Sequence, residues 1–324
     1  MRYYFAPMEC ITGYLFRNAH AKYFTAADKY FSPFISAGKR RMNQREREDI
    51  LPEHNGSICL VPQILTNCRG DFLEIAEELR EYGYREVNLN LGCPSRGVAA
   101  KGRGSGFLKD REKLEEFLDG IFEKCQIQVS VKTRLGVEKP EEFAQLLELF
   151  NRYPIKELII HPRVQKDYYR KPLHLEWFRM AVQESRIPLC YNGDLFCAEK
   201  IRAWRMEFPE VECVMLGRGL VANPELIGEA KGERKVTREG LLAFHEEVYA
   251  GYLDLIGDPK KVLPKMKELW CYWQYLFPDS AQSLADLKQA RALPQYEQAV
   301  RKLLEGDAGL TLSGERGFRP PNAE

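Results

Sequence analysis

The sequence has no CxxC pair and no cluster of cysteines with histidines. Its nine cysteines stand at 10, 59, 68, 93, 125, 190, 197, 213 and 271, an odd number without regular spacing. That pattern argues against a zinc module, leaves no metal site to assign, and argues against a disulfide framework. It predicts a reduced, cytoplasmic protein in which most cysteines act as small buried hydrophobes. No apolar run approaches the roughly 18 residues a membrane span needs. The opening MRYYFAPM lacks the basic-then-apolar pattern of a signal peptide. No GxGxxG follows the first strand-like run, which weakens a dinucleotide-binding doubly wound sheet. A charge excess is missing too, since 48 basic residues face 47 acidic ones for a formal net charge of +1. Bulk charge therefore points to no polyanionic partner.

What is present is a regular alternation. Short apolar runs at 2–8, 32–36, 58–64, 86–91, 128–133, 157–161, 188–192 and 213–217 each end in turn or polar residues. Helical patterns such as DFLEIAEELREYG (71–83) and DREKLEEFLDGIFEK (110–124) lie between most of them. Strands alternating with helices form a parallel sheet, and eight such units in one domain predict an α/β fold of the closed (β/α)₈ TIM barrel type. After residue 230 the strands stop, and four helical patterns follow the junction KGERKVT. The expected organisation is a barrel over residues 1–230 and a small all-helical domain over 231–324, with a frayed C-terminal end.

In such a barrel the active site lies at the C-terminal ends of the strands. The polar residues of the strand runs sit at those ends. Pro7, Met8 and Glu9 close the first run and Gln63 the third; Asn90 and Cys93 close the fourth. Lys132 and Arg134 end the fifth, His161 the sixth, Asn192, Gly193 and Asp194 the seventh, and Gly217 and Arg218 the eighth. Three locally basic runs follow strands two, four and six: residues 39–45, then 96–109 with Lys101 and Arg103, then 163–171 beginning at Arg163. Any one run alone reads as a solvated loop. Together on one face they form a basic rim, the footprint of a nucleic acid or phosphorylated ligand.

Each site residue also has a plainer reading. Lys132 could be a snorkelling surface lysine, His161 a satisfied core histidine, and Asn192-Gly193-Asp194 an ordinary turn. Their convergence on one barrel end favours function. The thiol is the most informative. In NLNLGCPSRGVAAKGRGSGFL (88–108) an alternating strand breaks at Gly92-Cys93-Pro94, and a glycine-rich basic loop without carboxylates follows. No His or Asp in the immediate GCPS context could act as a base for Cys93, and a free thiol with pKa roughly 8.5 is protonated near neutrality. A proton donor is therefore favoured over a protease-like nucleophile.

With these motifs in order, APME at 6–9, NLNLGCPSRGVAAKGRGSGFLKD at 88–110, SVKTRLG at 130–136, IIHPR at 159–163, NGD at 192–194 and MLGRG at 215–219, the sequence resembles the tRNA-dihydrouridine synthases. The segment PKMKELWCYWQYLFPDSAQSLADLKQAR resembles that family's helical domain, and the pattern is nearest the bacterial subgroup acting on the D-loop uridine at position sixteen. The resemblance implies a flavin enzyme that reduces the C5=C6 bond of a uridine in tRNA. FMN would be held by Pro7, Met8, Glu9, Gln63, Lys132, His161, Asn192, Gly193 and Asp194, with its phosphate at Gly217 and Arg218. NADPH (or NADH) would reduce it. Asn90 and Arg134 would contact uracil, while Lys101, Arg103 and Arg163 would contact RNA. Cys93 would be the catalytic proton donor. No membrane or obligate protein partner is implied, and a monomer is expected. Two features depart from the family pattern: Pro162 stands where glycine is usual, and Cys10 follows PME where glycine or alanine is usual. The rival readings are a flavin barrel acting on a free pyrimidine or enone, and a tRNA-binding protein without catalysis. Neither accounts at once for the basic rim, the helical tail and the thiol corner.

Overall fold

A computed structural model describes residues 1–36 and 42–305. Lys39, Arg40 and Arg41 of the first basic run, and the expected frayed end from 306 onward, lie outside the described residues. Eight parallel strands close a barrel in sequence order: β1 (Arg2–Phe5), β2 (Lys29–Ser36), β3 (Leu60–Leu65), β4 (Glu86–Leu91), β5 (Gln128–Arg134), β6 (Leu158–His161), β7 (Leu189–Tyr191) and β8 (Cys213–Leu216). The expected TIM barrel is what the chain forms. Strands β3 and β4 are buried along their whole length, as strands lined by helices outside and side chains inside must be. Pro33 lies inside β2, and the ladder to β3 slips between Phe31 and Phe34, because proline offers no N–H to the ladder.

The chain divides into two compact units. One comprises Met1–Glu9, Asp28–Gly193 and Phe208–Met215; the other comprises Cys10–Ala27, Asp194–Glu207 and Leu216–Glu324, with only its residues up to 305 described. Inside the first unit, Tyr4, Phe31, Val61, Ile159, Cys190, Cys213 and Met215 pack into a fully buried cluster, an apolar barrel core. Charges gather where strands begin: Glu86 pairs with Lys29 at 2.8 Å and Lys156 at 2.9 Å, and Glu157 accepts from Tyr4 Oη at 3.1 Å.

The second unit is held by aromatics. The helix Tyr14–Tyr23 packs on the helix Arg238–Ile256, with Phe16 edge-on to Phe244 at 5.1 Å. Phe244 meets Trp273 at 5.5 Å, and Trp273 meets Trp270 at the same distance. Buried indole N–H groups need acceptors. Trp273 donates to the Val221 carbonyl at 3.0 Å, and Trp270 to Tyr296 Oη at 2.9 Å. Tyr296 Oη also lies 2.6 Å from His245 Nε2. The expected helices of the tail are present, with Pro259–Trp273, Ala281–Gln289 and Leu293–Leu304 following Arg238–Ile256. Among the described residues, no helix is long and apolar enough to cross a membrane.

Candidate active site

The polar face of β4 builds the site. Period-2 geometry puts Asn88 and Asn90 on the same side of the strand, facing Gln63 of β3 and Ser130 and Lys132 of β5. These side chains form one directed chain. Asn90 Oδ1 accepts the backbone N–H groups of Gly92 and Cys93, each at 3.0 Å. Asn90 Nδ2 donates to Gln63 Oε1 at 2.7 Å, Gln63 Nε2 to Asn88 Oδ1 at 2.7 Å, and Asn88 Nδ2 to Ser130 Oγ at 3.0 Å. Ser130 Oγ lies 3.5 Å from the Val87 carbonyl. Backbone N–H groups can only donate and a carbonyl can only accept, so the two ends fix the sense of every amide between them. In this structure Asn90, expected at the uracil edge, holds the cysteine corner, with one amide hydrogen beyond those bonds.

The loop after the corner folds back on it. The Cys93 carbonyl accepts from Ser105 Oγ at 2.8 Å and from Ser105 N–H at 3.1 Å. Gly104 has φ +56°, and a Cβ there would stand 2.8 Å from the Cys93 oxygen, so glycine is required for this approach. Desolvation pushes the Cys93 thiol above the usual cysteine range, against a hydrogen bond from Ser95 N–H and the opposing charge of Arg134. The thiol is thus kept protonated at neutral pH, the state a donor needs.

Lys132 is paired across the ladder with Asn90. Desolvation first, then the neighbouring Arg134 charge, push its ammonium down to about 8. It has no carboxylate partner among the described residues. Arg134 is 2% exposed and braces backbone through Nε and Nη1. Its Nε donates to the Gly92 carbonyl at 3.0 Å, and its Nη1 to the carbonyls of Val164 at 3.0 Å and Tyr168 at 2.8 Å. It ties the cysteine corner to the loop after β6, where Tyr169 lies 5.1 Å from its guanidinium and 5.8 Å from the His161 ring.

Arg163, expected on the rim, is buried. Its Nε donates to the Lys171 carbonyl at 2.7 Å, and its Nη1 lies 3.2 Å from His161 Nε2. A guanidinium has no lone pair to offer, so His161 Nε2 accepts and its Nδ1 carries the proton. Asn192 Nδ2 donates to the Met215 carbonyl at 2.8 Å, and a Cβ at Gly193 would stand 2.7 Å from Tyr191 Oη. Pro7, Met8 and Glu9 follow β1 in the same unit, and Lys101 and Arg103 lie on the folded loop. In the second unit, Gly217 precedes the short helix Arg218–Ala222, and Arg218 Nη2 donates to Asp194 Oδ1 at 2.7 Å. Among the cations of the helical tail, Lys267 donates to the Ala290 carbonyl and Lys265 faces Glu268 and Tyr252, while Lys288 and Arg291 are exposed. No group of three or more His, Cys, Asp or Glu side chains suited to a metal occurs among the described residues.

Sequence reasoning does not single out Asn88 and Ser130. The signal is there, since each lies two residues before an expected site residue on the same strand face. Cys10, noted as a departure, has φ +64°, which explains why glycine suits that position.

Residues 4–300 match the family described as dihydrouridine synthase (Dus). The chain is 28% identical over 238 residues to the tRNA-dihydrouridine(16) synthase of Pseudomonas syringae pv. tomato, covering 71% of this chain and 74% of that protein. It is 26% identical over 227 residues to tRNA-dihydrouridine synthase B of Pasteurella multocida, covering 69% and 67% respectively. A 32% identical match to a probable tRNA-dihydrouridine synthase 1 of Synechocystis sp. covers 51% of this chain and about half (47%) of that protein. Among solved structures, morphinone reductase in complex with tetrahydroNAD has the same fold, with TM-score 0.52, 14% identity, and coverage of 72% of this chain and 88% of that one. The chain belongs to the dihydrouridine synthase family.

Proposed function

We propose that this chain reduces the C5=C6 bond of a D-loop uridine in tRNA, with Cys93 as the proton donor and FMN as the bound cofactor, recharged by NADPH or NADH. The observation that carries the reading is the directed amide chain that holds the N–H groups of Gly92 and Cys93 from Asn90, the strand partner of Lys132, at a corner whose thiol desolvation favours in its protonated form. The residues present fit a flavin. Gln63 offers a second amide hydrogen of fixed direction, and Lys132 an ammonium without an acid partner among the described residues. Pro7, Met8, Glu9, His161, Asn192 and Gly193 complete the first unit's set. In the second unit, Asp194, Gly217 and Arg218 are the residues assigned to the cofactor, with Gly217 and Arg218 at its phosphate.

When bound, FMN supplies the hydride equivalent for one carbon of the uracil double bond. The chain's own residues do the rest. Lys132 opposes negative charge developing on the bound ring. Cys93 Sγ gives its proton to C5, and the resulting thiolate is short-lived because desolvation favours its reprotonation. Arg134 holds the corner by the Gly92 carbonyl, which keeps the backbone that carries the sulfur in place. Lys101 and Arg103 serve the RNA backbone, and the helices between residues 238 and 304 present the tRNA at the angle that selects the uridine. The reading places the enzyme with its substrate, in the cytoplasm and as a monomer. The test is mass analysis of an unmodified tRNA transcript incubated with purified protein, FMN and NADPH. A gain of two hydrogens at a D-loop uridine supports the reading, and an unchanged transcript contradicts it.

A further inference from the structure

A cavity of about 480 Å³ opens beside the thiol-bearing loop, on the outer side of the barrel, and is lined by Asn67, Arg69, Gly102, Phe107, Lys113 and Glu116 among others. Arg69 opens the helix Arg69–Glu81 and is exposed; no carboxylate pairs with it among the described residues. Cations elsewhere on this unit's surface, such as Arg47, Arg80 and Arg152, are ion-paired.

Arg69 does not hang free in water. It lies across the helix Arg111–Lys124 at Gly120, where a Cβ would stand 2.0 Å from its Cδ and 2.8 Å from its Nη1. A glycine inside a helix costs roughly 1 kcal/mol relative to alanine. Gly120 is buried, has no positive φ and serves no turn, so the room it leaves is for the arginine. The side chain is thereby held over the cavity at little further entropic cost on binding. The same cavity is tied to the active-site loop, because Asn67 Nδ2 donates to the Lys101 carbonyl at 3.0 Å.

The lining names the partner's chemistry. Asp110 is engaged by Lys113 at 2.6 Å, which leaves Arg69 as the cation, and Glu116 as the carboxylate, of this lining with no ion pair among the described residues. A free anion would be repelled by Glu116. A ribonucleotide unit suits both, with its phosphate on the guanidinium and its 2′-hydroxyl donating to the carboxylate.

We infer that Arg69, seated on Gly120, is an RNA-backbone contact flanking the active-site loop, and that the cavity takes one phosphate–ribose unit of the tRNA. This deepens, and rests on, the tRNA reading above. The test is binding of a fluorescent, unmodified tRNA transcript to wild type, Arg69→Ala and Gly120→Ala across a salt series, with heparin as a non-RNA polyanion. Both variants are expected to bind tRNA about three- to tenfold more weakly, with the log–log salt slope of Arg69→Ala reduced by about one. Gly120→Ala removes no charge and improves helix propensity, so its melting temperature should equal or exceed wild type while its tRNA affinity falls. Heparin affinity should change less than tRNA affinity. Variants that bind tRNA like wild type, or lose heparin and tRNA equally, would overturn the inference. Wild-type protein that binds no tRNA would instead overturn the tRNA reading beneath it.

Discussion

The side-chain oxygen of Asn90 accepts the backbone N–H of Cys93 at 3.0 Å, so the residue expected to read the substrate also sets the corner that aims the thiol. Behind it, Gln63, Asn88 and Ser130 fix which way the Asn90 amide points. Asn88→Leu removes the acceptor that orients Gln63, and the disturbance reaches Cys93 two amides away. The expected result is a kcat for dihydrouridine formation lower by about tenfold to a hundredfold, with KM for tRNA little changed. Steady-state kinetics check it, and an unchanged kcat would reduce the chain to a core feature.

Lys132 gives a prediction with an opposite sign for stability and binding. Its folded pKa of about 8 lies below the ordinary lysine value, so the charged form is disfavoured by folding. The penalty is fully present below pH 8 and is relieved as pH rises from about 8 to the unfolded value near 10.5. Lys132→Met should therefore raise the stability of the cofactor-free protein at pH 7, by at least about 1 kcal/mol, while weakening FMN binding. Denaturant melts and flavin fluorescence titrations measure the two effects separately.

His245 makes the aromatic unit sensitive to acid. It is buried, its Nδ1 has no hydrogen-bond partner among the described residues, and desolvation pushes its pKa down to about 4. Its neutral form is the one folding favours, so stability is fully present above the unfolded value near 6.5 and falls as pH drops from there toward 4. From pH 6.5 to 5 the loss should be about 2 kcal/mol for this residue. Tryptophan fluorescence melts of Trp270 and Trp273 should show it, and His245→Phe should flatten the dependence.

Cys10 at φ +64° has a Cβ in a region that L residues avoid. Cys10→Gly should stabilise the protein by a few tenths to about 1 kcal/mol, the relief of the Cβ being partly offset by glycine's unfolded-state freedom. Urea titration of the two proteins measures it.

The barrel is legible because its strands carry period-2 or continuous apolar runs between helical ones, a local signal that survives without tertiary information. The placement of Cys93, Lys132 and Gln63 in or just after barrel strands is legible because polar residues in apolar runs stand out. Arg163 is not, since its burial depends on a backbone carbonyl eight residues away and on His161, neither of which a basic run reveals. The bracing by Arg134 is likewise hidden, since the three carbonyls that accept from it come from two loops distant in sequence. Asn88 is hidden for a different reason: a buried amide inside a strand looks like an error until its two partners on neighbouring strands are known.

The central claim is that Cys93 supplies the proton, and one comparison tests it most directly. Wild type and Cys93→Ala are loaded with FMN and reduced anaerobically with NADPH. An unmodified tRNA transcript is then added, and dihydrouridine is quantified by mass spectrometry against time. The account predicts equal flavin content and equal reduction by NADPH in the two proteins, with dihydrouridine formation slower by about 10²- to 10⁴-fold in the variant. Dihydrouridine appearing at the wild-type rate in Cys93→Ala would contradict it.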